Sequence, residues 1–187
     1  MRKVALIVLL AIIGCIGQAE KPEKLTPEAK ELIISSPAFE HNGNIPSQYA
    51  CEGENINPPL VIEGIPEGTV SLVLIVEDLD APRGIFVHWV VFNINPVIII
   101  DENSVPGIEG TSSFGDIVYS GPCPPSGTHR YVFIVYALDT ILGLDSTATK
   151  NDVIEAMEGH ILAKGELIGL YSKGQSHGFL LQPVFLF

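Results

Sequence analysis

The stretch Val70–Ile94, VSLVLIVEDLDAPRGIFVHWVVFNI, holds two apolar runs separated by a short polar segment. Val70–Glu77 (VSLVLIVE) is rich in β-branched residues, and its near-continuous apolarity suits a strand covered on both faces. Phe86–Ile94 (FVHWVVFNI) has the same character, and DAPRG between them supplies turn residues. Farther along, Tyr131–Leu138 (YVFIVYAL) repeats the pattern. NINPPL, GIPEGT, NINP and GPCPPSGTH punctuate the rest of the chain with proline, glycine and asparagine. One helix is predicted. Thr149, with Asp152 three residues on, forms a capping-box pattern, followed by Val153, Ile154, Met157 and Ile161 at helical spacing. Many strands with sparse helix point to a mostly β chain, folded as a sandwich or a barrel.

The 187 residues are 47% apolar and only 17% charged, enough to bury one good core. A formal net charge of −12 argues against a nucleic-acid partner, because neutralising phosphates requires clustered Lys and Arg. It also argues against electrostatic docking on anionic lipid.

The N-terminus is a different kind of sequence. Arg2 and Lys3 precede an apolar run from Val4 to Ile13, and then come Gly14 and Cys15. The run is shorter than the about 20 residues that a spanning helix needs. A charged start, a short apolar centre and a small residue before the cut suit an export signal over residues 1–14. IIGC resembles a lipobox, in which Cys15 becomes the lipid-modified first residue; the alternative is a plain signal peptide with an incidental cysteine. Residues 15–35 read as a polar tether and 36–187 as one folded domain. The expectation is an exported protein, held at the cell membrane by a lipid anchor. In that compartment Cys51 and Cys123 are open to two readings, a disulfide or two buried thiols.

Three motifs go beyond periodicity. DLDAP (Asp78–Pro82), FVHWVVFNI (Phe86–Ile94) and YSGPCPPSGTHRYVFIVYALD (Tyr119–Asp139) together resemble the phosphatidylethanolamine-binding protein family, also called the Raf kinase inhibitor protein family. IPSQYACEGENINPPLVIEGIPEGTVSLVLIVED (Ile45–Asp78) and LAKGELIGLYSK (Leu162–Lys173) resemble its bacterial and archaeal branch. The resemblance covers about Pro37 to Lys173. It implies a β-sandwich of two antiparallel sheets, with one or two peripheral helices and a small anion-binding pocket at one end. Carried onto this chain, the pocket residues are Asp78, His88, His129 and Tyr131, with a rim formed by the loop from Gly121 to Pro125. Asp80, Pro82 and Arg130 read as structural: Asp80 as the cap of the DAP turn, Arg130 as one half of an internal pair. Leu79 stands where the family usually has proline.

Such a set suits an oxyanion. Histidine is the side chain whose charge is easiest to adjust near neutral pH, and a carboxylate beside it favours the imidazolium. Asp78 would thus help His88 or His129 present N–H donors, or would receive an amine such as ethanolamine. Tyr131 adds a neutral donor. Trp89, next to His88 in a strand, is expected on the opposite face, in the core. His41, His160 and His177 lie outside any motif.

Three functional classes follow. The first is a binding module for a phosphate-containing small molecule or phospholipid head group, without cofactor or metal. The second is a regulator of a protein partner such as a protease. The third, ranked last, is a metal-assisted hydrolase using Asp78, Asp80, His88 and His129, whose acids lack a clear metal-ligand spacing. The apolar tail Gly178–Phe187 extends past the family core and is expected to pack as core or as a homodimer interface rather than as a membrane contact.

Overall fold

The computed structural model describes residues 30–174; the expectations for the export signal, Cys15 and the apolar tail fall outside them. Two sheets carry the fold. The larger is seven-stranded, in the order β1 (Lys30–Glu31), β10 (Ile161–Ser172), β9 (Thr128–Leu138), β5 (Ser71–Asp78), β6 (Phe86–Ile94) and β8 (Ile108–Glu109), with β3 (Gly43–Asn44) also paired to β10. The smaller contains β2 (Ile33–Ser35), β4 (Leu60–Glu63) and β7 (Ile99–Ile100).

Alternation along each strand sorts side chains into two cores. Leu72, Leu74, Val76, Trp89, Val91, Phe133 and Val135 face the small sheet and pack in one buried cluster with Ile34, Leu60, Ile62 and Ile100. Val73, Ile75, Val90, Phe92 and Ile134 point the other way, onto Leu142 and onto Val153 and Met157 of α1 (Lys150–Met157). All eight residues of β5 are therefore buried, the physical meaning of its unbroken apolar run. Each such aliphatic side chain contributes roughly 1.5–3 kcal/mol relative to exposure. Glu77 is buried on the helix-facing side, where Lys150 Nζ lies 2.7 Å from its Oε1, a short ion pair although not aligned as a hydrogen bond.

The helix begins where its cap is. Thr149 Oγ1 accepts from the Asp152 amide, and Asp152 Oδ2 accepts from the Thr149 amide at 2.8 Å. It stops at Met157, earlier than the apolar spacing to Ile161 predicts. Gly159 turns the chain at φ 85°, and Ile161 opens β10 instead.

Three other expectations need correction. Residues 30–35 are not tether: they form β1 and β2, and Leu32 N donates to Lys164 O at 2.8 Å. A Cβ at Gly165 would collide with the Leu32 carbonyl, so glycine in β10 is what lets this segment cross so closely. The large sheet is not purely antiparallel, since β1 and β3 join β10 in parallel. The third correction concerns Trp89 and belongs to the site. Of the two readings for Cys51 and Cys123, the disulfide is present, with Cα atoms 5.5 Å apart across 72 residues of sequence. Among the described residues no helix is long and apolar enough to cross a membrane.

Candidate functional site

β5 ends, β6 begins and β9 begins at the same end of the large sheet, and register places Asp78 opposite both Phe86 and Tyr131. His129, two residues before Tyr131, shares its face. Asp78 Oδ2 accepts from His129 Nδ1 at 2.7 Å, with both side chains buried. Its other oxygen accepts from the Asp80 amide at 2.9 Å. Asp78, not Asp80, therefore caps the turn.

His88 reaches the same place through an irregularity. Val76 pairs with Trp89 and Glu77 with Val87, which leaves His88 as the extra residue of a β-bulge. The bulge turns His88 to the side of the sheet that Trp89 occupies, and its ring meets Tyr131 with centroids 5.3 Å apart. Strict alternation, which places the two side chains on opposite faces, fails here for that reason.

His88 Nδ1 lies 2.6 Å from the Ser120 carbonyl, which can only accept, so the proton sits on Nδ1. Burial pushes the His88 pKa below its ordinary value, against the opposing pull of the Ser120 carbonyl and the Asp78 charge. Of the two histidines that Asp78 was expected to support, His129 is the one it bonds. Tyr131 is fully buried; its hydroxyl accepts from the Cys123 amide at 3.3 Å. Burial and then the Asp78 charge raise its pKa, and the group is a neutral phenol.

The loop 119–123 is fastened from behind. Gly121 N donates to Asn55 Oδ1 at 2.8 Å, Cys51 N to Pro122 O at 3.1 Å, and the Tyr119 hydroxyl to Tyr49 O at 3.0 Å. The disulfide joins the same two segments. A Cβ on Gly121 would strike the Tyr49 carbonyl. The amides of Gly121 and Cys123 therefore face partners in the protein. Pro125 is exposed in the segment leading to β9.

Arg130 forks onto Asp80, with Nε 2.9 Å from Oδ2 and a terminal nitrogen 2.7 Å from Oδ1. Hydrogen bonding from Arg130 holds the Asp80 carboxyl down at about 2. Both side chains are partly exposed, so solvent screens the pair and its contribution to stability is small. Leu79 N donates to Arg130 O at 3.0 Å, a bond that the family's usual proline cannot make. Pro82 is exposed and bridges to Gly84 in the turn.

Phe86 and Phe114 wall the histidine edge-on, with centroids 5.4 and 5.6 Å from the His88 ring. Phe114 lies outside every motif; Ser120 and Asn55 lie within motif stretches, but their roles were not legible in the sequence. A surface cavity of about 330 Å³ lies elsewhere, between Ile85, Val87, residues 111–113 and residues 149–151, and includes none of the histidines. Its hydroxyls are engaged: Ser113 Oγ accepts from Val87 N, and Ser112 Oγ from Phe114 N. Among the described residues no group of three or more His, Cys, Asp and Glu is arranged for a metal ion.

The chain is similar to known proteins over most of its length. The family model for phosphatidylethanolamine-binding proteins matches residues 35–172. A UPF0098 protein of Methanothermobacter thermautotrophicus is 49% identical over 76% of this chain and all of its own length. Another, from Pyrococcus horikoshii, is 46% identical over 90% of this chain and 86% of its own. The crystal structure of a phosphatidylethanolamine-binding protein homologue from Chlamydia trachomatis superposes with a TM-score of 0.74 at 41% identity, covering 78% of this chain and 99% of that one. Escherichia coli YbcL, described as a member of the mammalian family, gives 0.70 at 28% identity, covering 76% and 98%.

Proposed function

The chain belongs to the phosphatidylethanolamine-binding protein family, and from that premise we propose that it is a binding module for small phosphate-bearing molecules or head groups. The observation that carries this reading is the convergence of His88, the Asp78–His129 pair and Tyr131 at one end of the large sheet, walled by Phe86 and Phe114. Buried polar side chains grouped beside apolar walls are the usual composition of a small-ligand site. Binding without turnover is the simplest chemistry for the set. Both cysteines among the described residues are joined to each other, and Asp78 is committed to His129 and the Asp80 amide.

Calorimetric titration with phosphorylethanolamine and with inorganic phosphate tests the proposal. Weak binding is expected, lost in a His88→Ala, His129→Ala double variant that retains its fold by circular dichroism. Equal binding by the variant removes the idea. The proposal includes export and tethering through Cys15, on the sequence IIGC. Native protein is expected in the membrane fraction and a Cys15→Ser form outside it or unprocessed.

A further inference from the structure

One peptide group couples the loop 119–123 to the site. The Ser120 carbonyl and the Gly121 amide belong to the same peptide plane, and the described residues contain no cis bond. In a trans peptide the C=O and the N–H point in opposite directions. Here the carbonyl end lies 2.6 Å from His88 Nδ1, while the amide end donates to Asn55 Oδ1 at 2.8 Å. The orientation of this plane therefore decides which group His88 meets. A half-turn of the plane would bring the amide toward Nδ1 and leave the carbonyl facing Asn55. Residues 119–123 lie in neither sheet, so no strand ladder resists that turn. The other ties of the loop to the segment 49–55 act on its neighbours. The Tyr119 hydroxyl bonds Tyr49 O, Cys51 N donates to Pro122 O, and the disulfide holds Cys123. These fix where the loop runs. Among the ties to that segment, the Asn55 bond alone acts on the plane between Ser120 and Gly121. Asn55 suits the place: its backbone is left-handed at φ 58°, which asparagine tolerates, and it stands at the surface. The two bonds on the peptide also polarise each other, which strengthens both.

We propose, resting on the site reading above, that Asn55 is a positioning residue for ligand binding. It holds the Ser120–Gly121 peptide so that the carbonyl faces His88 and keeps a proton on Nδ1. The aimed carbonyl fixes the tilt of the imidazole and the nitrogen that it turns away from the loop. Asn55 acts through His88, from a surface segment with no residue among the four that converge at the site.

Two substitutions separate the bond from the backbone. Asn55→Gly accepts the left-handed conformation and removes the acceptor; Asn55→Asp tolerates the same conformation and keeps an acceptor oxygen. Nitrogen-15 shifts of His88 are recorded on ligand-free protein at about pH 8, above the ordinary histidine value of about 6.5. Wild type and Asn55→Asp are expected to show a protonated Nδ1. Asn55→Gly, folded by circular dichroism, is expected to show a substantial share of the Nε2-protonated tautomer. Lower stability alone leaves these shifts in place. Wild-type shifts in Asn55→Gly overturn the proposal, as does an Asn55→Asp form that behaves like Asn55→Gly. Should Asn55→Gly fail to fold, hydrogen exchange on the wild type decides. The Gly121 amide is expected to be protected, and exchange at the rate of an open amide overturns the proposal. By calorimetry, phosphorylethanolamine is expected to bind Asn55→Gly about tenfold more weakly than wild type, the scale of one hydrogen bond. An unchanged affinity overturns the role in binding. A wild type that binds neither phosphorylethanolamine nor inorganic phosphate overturns the phosphate reading, a different result, and the His88 shifts still decide whether Asn55 positions the ring.

Discussion

His88 shows how one backbone irregularity and one carbonyl set a residue's chemistry. In an alternating strand it faces away from Tyr131; the bulge brings it to the same side, and Ser120 then fixes its tautomer. Its pKa is depressed in the folded protein relative to the ordinary 6.5, chiefly by burial. Between the folded and unfolded values the unfolded chain binds more protons, so stability rises with pH in that window. Stability is therefore fully present above about pH 6.5 and is lost as pH falls through the folded value. Denaturant midpoints measured from about pH 7.5 down to pH 5 are expected to fall, and to fall less in His88→Gln. An identical slope in the two proteins contradicts a buried neutral imidazole. The motif FVHWVVFNI made the residue visible in the sequence, but its direction was not, because a bulge depends on how two strands pair.

At the scale of elements, local and non-local signals differ in reach. The helix start was legible because Thr149 and Asp152 satisfy each other's amides across three residues, a contact that requires nothing else in the fold. Thr149→Ala is expected to destabilise the protein by about 1 kcal/mol, read from urea unfolding, with no change in phosphate binding at the distant histidines. The helix end was not legible. Ile161 continues the apolar spacing, yet pairing with β9 recruits it into the twelve-residue strand β10, and long-range hydrogen bonds outweigh the local pattern. Strands β1 and β2 escaped for a related reason. Lys30, Glu31 and Ile33 read as polar spacer until β10 and β4 supply ladders for them.

Across the whole molecule, the large sheet presents Asp78, His88, His129 and Tyr131 at one end, and the disulfide ties down the loop behind them. The crosslink closes 72 residues that include β4, β5 and β6. Constraining the unfolded chain over that length contributes roughly 4 kcal/mol by the chain-entropy argument. A Cys51→Ser, Cys123→Ser form is expected to unfold at distinctly lower denaturant concentration than the oxidised protein. Adding reductant to the wild type should reproduce the shift. A midpoint unaffected by both treatments contradicts the crosslink's role in stability.

By itself the sequence determined the β class, the principal long strands, the capped helix start and the family to which the pocket residues belong. These rest on periodicity, local capping and motifs, all carried by neighbours in the chain. Tertiary structure alone decided that Cys51 meets Cys123, that Asp78 rather than Asp80 caps the turn, and that the Gly121 and Cys123 amides face inward. It also decided which ring nitrogen of His88 faces the Ser120 carbonyl. Each of those facts depends on a partner distant in sequence: 32 residues separate His88 from the carbonyl that holds its proton, and 66 separate Gly121 from Asn55. Hydrogen-bond direction is set by which group arrives opposite, and only the folded chain brings it there.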